Sequence, residues 1–135
     1  FFLKNFTMKR FLLCSLLFIS VLGCKEIRSD QIKIVTAEEM QAILDLEEVQ
    51  LIDVRTPEEF NDGAIKNAQN IDFYSDTFEQ DILKLDKTKP VILYCKSGRR
   101  SAACAEKLVA AGFIKVYDLQ GGITQWTHQK LEVEN

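Results

Sequence analysis

Residues 91–101 read VILYCKSGRRS, and this stretch decides the fold. Its first four residues, Val91–Tyr94, are β-branched, aliphatic or aromatic, which predicts a buried strand. The stretch then runs into the alanine-rich segment Arg100–Ala111, which predicts a helix ended by Gly112. A strand that leads through a short loop into a helix is the unit from which parallel α/β sheets are built.

Strand and helix alternate along the rest of the chain in the same way. Two helix starts carry the capping-box pattern, a threonine followed three residues later by a glutamate: Thr36 with Glu39, and Thr56 with Glu59. The connections are long enough for crossovers, so the sequence predicts an α/β fold with a parallel β-sheet and helices on both faces. Further strands are predicted at 32–35, 49–54, 68–71 and 116–119, and further helices at 36–46, 56–63, 77–85 and 123–128.

The loop after the central strand carries the candidate chemistry. Ligands of open α/β sheets bind at the carboxyl ends of the strands, and a loop entering a helix there points its backbone N–H groups at an anion. Gly98 permits the tight curl, and the helix dipole favours negative charge. These features lower the pKa of a cysteine to about 3.5–7.5, so Cys95 is the candidate nucleophile. The candidate binding loop is Lys96, Ser97, Gly98, Arg99, Arg100 and Ser101.

Cys95 has a simpler interpretation as well. It could be a buried structural cysteine at the end of a strand, because free cysteine is often buried. Cys104 lies about two and a half helical turns further on, too distant for a disulfide with Cys95 without movement. We expect Cys104 to be a small core residue in an alanine-rich helix, and the alternative is a resolving thiol in a redox module.

Several other side chains have structural interpretations. Asp53 and Arg55 are predicted to form an internal ion pair that supports the loop. Trp126 is expected to anchor the last helix, and His128 is expected to be exposed. Because the chain has one histidine and widely spaced cysteines, the sequence predicts no metal site, and it contains no glycine-rich nucleotide fingerprint. No cofactor is expected.

The charge of the chain argues against nucleic-acid binding. The 135 residues carry 17 basic and 20 acidic side chains, a net charge of −3. Three of the basic residues and none of the acidic ones precede Cys24, so the net charge of the residues after it is more negative than that of the whole chain. Binding to phosphate backbones requires a basic face, which this composition does not supply.

Residues 1–24 have the composition of an export signal. Met8 is the expected true start, and it is followed by two basic residues and the apolar run Phe11–Leu22. A short basic segment and an apolar segment of roughly 7–15 residues describe a secretory signal. The run is too short for a bilayer core, which needs about 20 residues.

The end of this signal resembles a bacterial lipobox. Residues 21–24 read VLGC, and such a sequence implies cleavage before Cys24 and attachment of lipid to it. Residues 25–31 are then expected to be a polar tether. The sequence therefore predicts an exported lipoprotein, anchored to a membrane through its N-terminal lipid and facing the periplasm. The alternative is a soluble periplasmic protein.

Four segments in order along the chain resemble one known family. They are LIDVR at 51–55 with PEEF at 57–60, GAIKNAQNI at 63–71, YCKSGRRS at 94–101, and GF at 112–113 with YDLQGGI at 117–123 and Trp126. Together these segments are similar to the rhodanese-like domains, also called thiosulfate sulfurtransferases. The resemblance covers nearly all of the predicted domain, residues 32–130.

The resemblance implies a two-step sulfur transfer. The Cys95 thiolate would take the sulfane sulfur of a small anionic donor such as thiosulfate and become a persulfide. Cyanide or a thiol acceptor would then remove the sulfur. Lys96, Arg99 and Arg100 would position the donor, and backbone amides of the loop would hold the persulfide. The natural acceptor or reductant is unknown.

The sequence departs from the family pattern at two positions. Ala64 stands where the family often has histidine, and Asn67 replaces a common glycine.

A second enzyme class has a similar loop. Cysteine-dependent phosphatases and arsenate reductases place an arginine after the catalytic cysteine with five residues in between. Here Arg100 follows Cys95 after four, which predicts a tighter cradle suited to a single sulfur atom.

Overall fold

The computed structural model describes residues 30–135, and the predicted signal, Cys24 and most of the tether lie outside them. Strands and helices alternate through these residues as the sequence predicts. The strands are β1 (Ile32–Val35), β2 (Gln50–Asp53), β3 (Gln69–Asn70), β4 (Val91–Tyr94) and β5 (Val116–Leu119). The helices are α1 (Ala37–Leu46), α2 (Pro57–Asn61), α3 (Phe78–Ile82), α4 (Arg99–Ala110) and α5 (Gly122–His128).

The strands form one sheet in the order β1-β5-β4-β2-β3, and every neighbouring pair is parallel. Strand β4 is central, and all four of its residues are buried. The carboxyl ends of β4, β2 and β5 therefore meet at one edge of the sheet, where Cys95 begins the loop to α4. This architecture confirms the α/β prediction.

Helices cover both faces of the sheet, as predicted. One apolar cluster joins the sheet to α3 and α4 through residues such as Phe78, Ile82 and Leu108. A second cluster joins the other face to α1 and α5 through Met40 and Trp126. The β4 side chains alternate between these clusters, so the strand is apolar on both faces, which is typical of parallel sheets.

Both capping boxes are present. The Thr36 hydroxyl accepts from the Glu39 N–H at 3.1 Å, and the Glu39 carboxylate accepts from the Thr36 N–H at 2.9 Å. Thr56 and Glu59 make the equivalent bonds at 3.3 and 2.9 Å. These bonds satisfy N–H groups that a helix start leaves free, so they fix where α1 and α2 begin.

The helix predicted at 77–85 is shorter than expected. Only Phe78–Ile82 is helical, because the Lys84 and Leu85 N–H groups bond to carbonyls three residues back and tighten the chain into turns. The Thr77 hydroxyl donates to the Asp81 carboxylate at 2.8 Å and does not cap the helix. The apolar spacing therefore identified the buried side chains but not the end of the helix.

A buried ion pair lies at the end of β2. The Arg55 guanidinium bonds to both carboxylate oxygens of Asp53, with Nη2 2.6 Å from Oδ2, and it also donates to the Gly63 carbonyl at 2.7 Å. Asp53 is fully buried and Arg55 is 6% exposed. The Asn70 amide donates to the carbonyls of Asp53 and Arg55, so the chain leaving β2 is held from both sides.

The C-terminal residues pack back onto the domain. The Trp126 indole N–H donates to the Glu132 carbonyl at 2.9 Å, and Trp126 is 6% exposed. Ala64 and Glu134 exchange a pair of backbone hydrogen bonds in a short antiparallel bridge. His128 is exposed. Within residues 30–135 no helix has the length and apolarity needed to cross a membrane.

Replacing Asp53 by Asn is expected to lower the free energy of unfolding by about 3 kcal/mol, because it leaves the buried Arg55 charge without its partner. Urea denaturation measures this change. The matched control is Lys89→Ala, which removes an exposed ion pair with Glu48 and is expected to change the free energy of unfolding much less. Equal effects of the two substitutions would contradict the structural role given to Asp53.

Candidate active site

Cys95 lies at the carboxyl edge of the sheet, where β4 ends and the loop to α4 begins. It is 1% exposed. Gly98 is the N-cap of α4 and has a φ of 112°, a conformation that glycine adopts without the clash a Cβ would cause. The loop between Cys95 and Gly98 therefore curls back over the cysteine instead of extending away from it.

Hydrogen bonds surround the sulfur atom. The Gly98 N–H donates to Cys95 Sγ at 3.1 Å, and Sγ lies 3.5 Å from the Ser101 hydroxyl oxygen. Burial opposes ionisation of the thiol, but hydrogen bonds from the Ser101 hydroxyl and from the N–H groups of Ser101, Gly98 and Ser97 outweigh it. The pKa of Cys95 is therefore lowered. Hydrogen bonds within the loop and the first turn of α4 are the cause.

The first turn of α5 fixes the orientation of the loop backbone. The Ile123 N–H donates to the Cys95 carbonyl at 2.9 Å, and the Thr124 N–H donates to the Lys96 carbonyl at 3.0 Å. With the Lys96 carbonyl bound to α5, the Ser97 N–H of the same peptide unit is left on the side of the sulfur. Gly122 makes this approach possible, because a Cβ there would lie 2.4 Å from the Cys95 carbonyl oxygen.

The three cations of the loop occupy different environments. Lys96 and Arg99 are exposed. Arg100 instead forms two hydrogen bonds with the Glu59 carboxylate, at 2.7 and 2.9 Å, and its guanidinium lies 5.7 Å from the centre of the Tyr74 ring. A role of all three cations in donor binding stays a prediction, and for Arg100 it would require a donor to share a guanidinium that Glu59 already binds.

Glu59 is a site residue that the sequence did not identify. The hydrogen bonds from Arg100, together with those from Thr56 and against the effect of burial, lower the pKa of Glu59 to about 2. Its capping box was visible in the sequence, but Arg100 lies 41 residues further along the chain. One carboxylate thus joins the start of α2 to the start of α4 beside the cysteine.

Asp53 and Arg55 lie next to the site without contacting the sulfur through any hydrogen bond found in residues 30–135. Arg55 and Lys96 contribute to a cavity of about 250 Å³ beside the loop, whose other walls include Glu59 and Ile123. A larger cavity, about 690 Å³, lies elsewhere, between α1 and the C-terminal segment. The small cavity is lined by Lys96, the residue after the candidate nucleophile, and not by Cys95 itself.

Cys104 lies in the apolar cluster beneath α4 and is fully buried. Burial raises its pKa to about 12, so it is a poor nucleophile at neutral pH. Cys95 and Cys104 are both free thiols in the structure. Across residues 30–135 no group of three or more His, Cys, Asp or Glu side chains is arranged to hold a metal ion.

The two departures from the family pattern occupy defined places. Asn67 has a φ of 66°, and asparagine is one of the few residues besides glycine that adopts this left-handed conformation readily. Ala64 is 6% exposed and pairs with Glu134 of the C-terminal segment. The segment therefore packs directly against the position where the family often has histidine.

Replacing Ser101 by Ala is expected to slow alkylation of Cys95 by iodoacetamide about fivefold near neutral pH, because one hydrogen bond to the thiolate is worth about 1 kcal/mol. The rate measured against pH shows whether the loss follows from a raised thiol pKa. Ser97→Ala is the matched control, since Ser97 is exposed and acts on the sulfur through its backbone. A profile for Ser101→Ala that superimposes on that of the unmodified protein would refute this role.

Comparison with known proteins agrees with this geometry. The family profile described as Rhodanese-like domain matches residues 36–129. A sulfurtransferase of Allochromatium vinosum is 32% identical over 93 residues, which cover 69% of this chain and 85% of that protein. The thiosulfate sulfurtransferase GlpE of Tolumonas auensis is 32% identical over 94 residues, covering 70% and 87% of the two chains.

Solved structures give the same result. A rhodanese-like domain protein from Staphylococcus aureus is 34% identical with a TM-score of 0.65, and the match covers 76% of this chain and 99% of that one. A rhodanese-related protein from Thermoplasma volcanium is 27% identical with a TM-score of 0.67, covering 76% and 97%. With the cysteine-centred loop in place at the carboxyl edge of the sheet, the chain belongs to the rhodanese-like domain family.

Proposed function

We propose that the protein is a sulfurtransferase that carries a sulfane sulfur on Cys95. The observation that carries the proposal is the cradle around Sγ: a buried cysteine whose sulfur accepts an N–H hydrogen bond from Gly98 and lies beside the Ser101 hydroxyl. Relatives named sulfurtransferase and thiosulfate sulfurtransferase support the assignment. Thiosulfate is the donor we propose.

In the first step the Cys95 thiolate attacks the outer sulfur of thiosulfate. A bond forms between Sγ and that sulfur, the sulfur–sulfur bond of thiosulfate breaks, and its electron pair leaves with sulfite. The terminal sulfur of the resulting persulfide carries the negative charge. The loop N–H groups that lower the pKa of Cys95 would stabilise this charge by the same hydrogen bonds.

In the second step a nucleophilic acceptor attacks the terminal sulfur. With cyanide the product is thiocyanate, and with a thiol the product is a persulfide of the acceptor. The electron pair of the Sγ–sulfur bond returns to Cys95, which becomes a thiolate again. The exposed side chains of Lys96 and Arg99 stand where they would attract an anionic donor or acceptor.

A phosphatase or arsenate reductase reaction is less well supported. In such enzymes an arginine must bind the oxyanion, whereas both terminal nitrogens of Arg100 already donate to Glu59. A thiol redox module with Cys104 as partner is also less well supported, because Cys104 is buried and its pKa is raised. Sulfur transfer uses the cysteine and the amides as they stand.

Incubation of the domain with thiosulfate and cyanide is expected to produce thiocyanate, and Cys95→Ser is expected to abolish it, because the serine hydroxyl cannot carry a persulfide. Cys104→Ala is the matched control and should retain turnover. Intact-mass measurement after thiosulfate alone should show one added sulfur atom on the unmodified protein. Absence of both thiocyanate and added sulfur would refute the proposal, and hydrolysis of an aryl phosphate would favour the phosphatase.

We further propose that the protein is exported and anchored through lipid on Cys24, which lies outside the described residues. The support is the basic and apolar pattern before Cys24 and the VLGC sequence at 21–24. The domain would then work in the periplasm, where an oxidising environment threatens a reactive thiol. A dependence on a reductant or on oxidised sulfur donors would follow.

Cells expressing the full chain are expected to incorporate labelled palmitate into the protein and to retain it in the membrane fraction. Cys24→Ser should remove both the label and the membrane retention, while Cys14→Ser, within the signal, should leave them unchanged. Unlabelled protein that is released as a soluble periplasmic species would refute the lipid anchor and support the soluble alternative.

A further inference from the structure

The carboxylate of Glu59 is held from two sides beside the loop. Its Oε2 accepts from the Thr56 N–H at 2.9 Å and from Arg100 Nη1 at 2.7 Å, and its Oε1 accepts from Arg100 Nη2 at 2.9 Å. The capping box at the start of α2 therefore fixes the side chain that binds Arg100. The side chains of Arg100 and Glu59 are 15% and 30% exposed, so water screens this pair less than it screens a pair on the open surface.

The guanidinium of Arg100 lies close to the candidate nucleophile. Arg100 directly precedes Ser101, whose hydroxyl oxygen lies 3.5 Å from Cys95 Sγ. Glu59 lines the small cavity together with Lys96, the residue after the cysteine. An anion that contacted Arg100 would therefore lie close to the Glu59 carboxylate as well, and that carboxylate would repel it.

The cations around the loop fall into two groups. Arg55 and Arg100 each bind a carboxylate through short hydrogen bonds. Lys96 and Arg99 are exposed, and neither forms an ion pair within residues 30–135. The planar fork of a guanidinium is the side chain best suited to an oxyanion, and the two forks with the least access to water are the ones already bound. An oxyanion is thus left with charges that water screens.

We propose that Glu59 is a specificity-determining residue, which lowers the affinity of the loop for oxyanions by binding Arg100. Glu59 is a positioning residue, because it acts through Arg100. The benefit to catalysis rests on the proposed sulfur transfer, whose first step releases sulfite, an oxyanion, beside the loop. A weak hold on oxyanions lets sulfite leave before the acceptor arrives, and it keeps sulfate and phosphate from occupying the site.

The test measures how well sulfate protects Cys95 from alkylation by iodoacetamide at constant ionic strength. Glu59→Gln removes the charge and keeps an acceptor for the capping box, so α2 is expected to form as before. With Arg100 no longer neutralised, half-protection is expected at about a tenfold lower sulfate concentration, the effect of one charge-assisted hydrogen bond. Each rate is divided by the rate without sulfate, so that a change in thiol reactivity cancels. Equal protection of Glu59→Gln and the unmodified protein would overturn the inference.

Two further variants separate the charge of Arg100 from the capping of a helix. Glu39→Gln changes the matching capping-box glutamate of α1, which pairs with Lys33 at 3.8 Å, and it should leave sulfate protection unchanged. The double variant Glu59→Gln, Arg100→Gln removes both charges and should need as much sulfate as the unmodified protein. A gain that persists in the double variant, or that appears equally in Glu39→Gln, would contradict the role given to Glu59.

Steady-state kinetics test the consequence for sulfur transfer. In Glu59→Gln, sulfite should inhibit at about a tenfold lower concentration, and KM for thiosulfate and kcat should both fall, whereas a merely structural defect would not tighten the binding of an anion. Increased sulfate protection without thiocyanate formation in any form would refute the sulfur-transfer proposal and support this inference. Normal turnover with unchanged binding of sulfate and sulfite would support sulfur transfer and refute the inference.

A second measurement needs no substitution. The side-chain nitrogen-15 resonances of the arginines are followed while sulfate is added to the unmodified protein. Those of Arg99 are expected to shift and those of Arg100 to stay in place, because Glu59 keeps Arg100 from the anion. A shift of the Arg100 resonances at the same sulfate concentration as those of Arg99 would overturn the inference, whether or not Glu59→Gln folds.

Discussion

The hydrogen bonds from the first turn of α5 to the carbonyls of Cys95 and Lys96 are the constraint on which the site depends. A peptide unit is planar, so binding a carbonyl on one side of the loop orients the next N–H towards the other side. Of the two peptide units whose carbonyls α5 binds, the second directs the Ser97 N–H towards the sulfur, and the Gly98 N–H of the next unit donates to Sγ. Gly122 is required at this contact for lack of space, since even a methyl group would lie 2.4 Å from the Cys95 carbonyl oxygen.

Two ion pairs hold the surroundings of this loop in place. Asp53 with Arg55 fixes the chain that leaves β2, and Glu59 with Arg100 joins the start of α2 to the start of α4. The first pair is fully enclosed, and the second is partly exposed beside the small cavity. Glu59 holds both terminal nitrogens of Arg100, so the exposed positive charges of the loop are those of Lys96 and Arg99.

Features that depend on neighbours in the sequence could be predicted, and features that depend on distant parts of the chain could not. Strand β4, the helix after it and both capping boxes follow from local patterns, as does a reactive cysteine at a helix start. The pairing of Glu59 with Arg100 joins residues 41 positions apart, and the contact of Ile123 on α5 with the Cys95 carbonyl joins residues 28 positions apart. Neither leaves a trace in composition or periodicity. The lowered pKa of Cys95 was predicted, but its main cause, hydrogen bonding at Ser101 and the loop amides, required the three-dimensional arrangement.

Asp118 shows most clearly which features the sequence alone does not place. In a strand buried on both faces the alternation of polar and apolar residues is lost, so a single aspartate in VYDL gives no indication of which face it occupies. The structure places it on the face shared with Ser101 and Cys95, without a full set of partners. A thiolate and a persulfide are both monoanions, so the N–H groups that the loop directs at the sulfur suit either state, and no proton has to move between them.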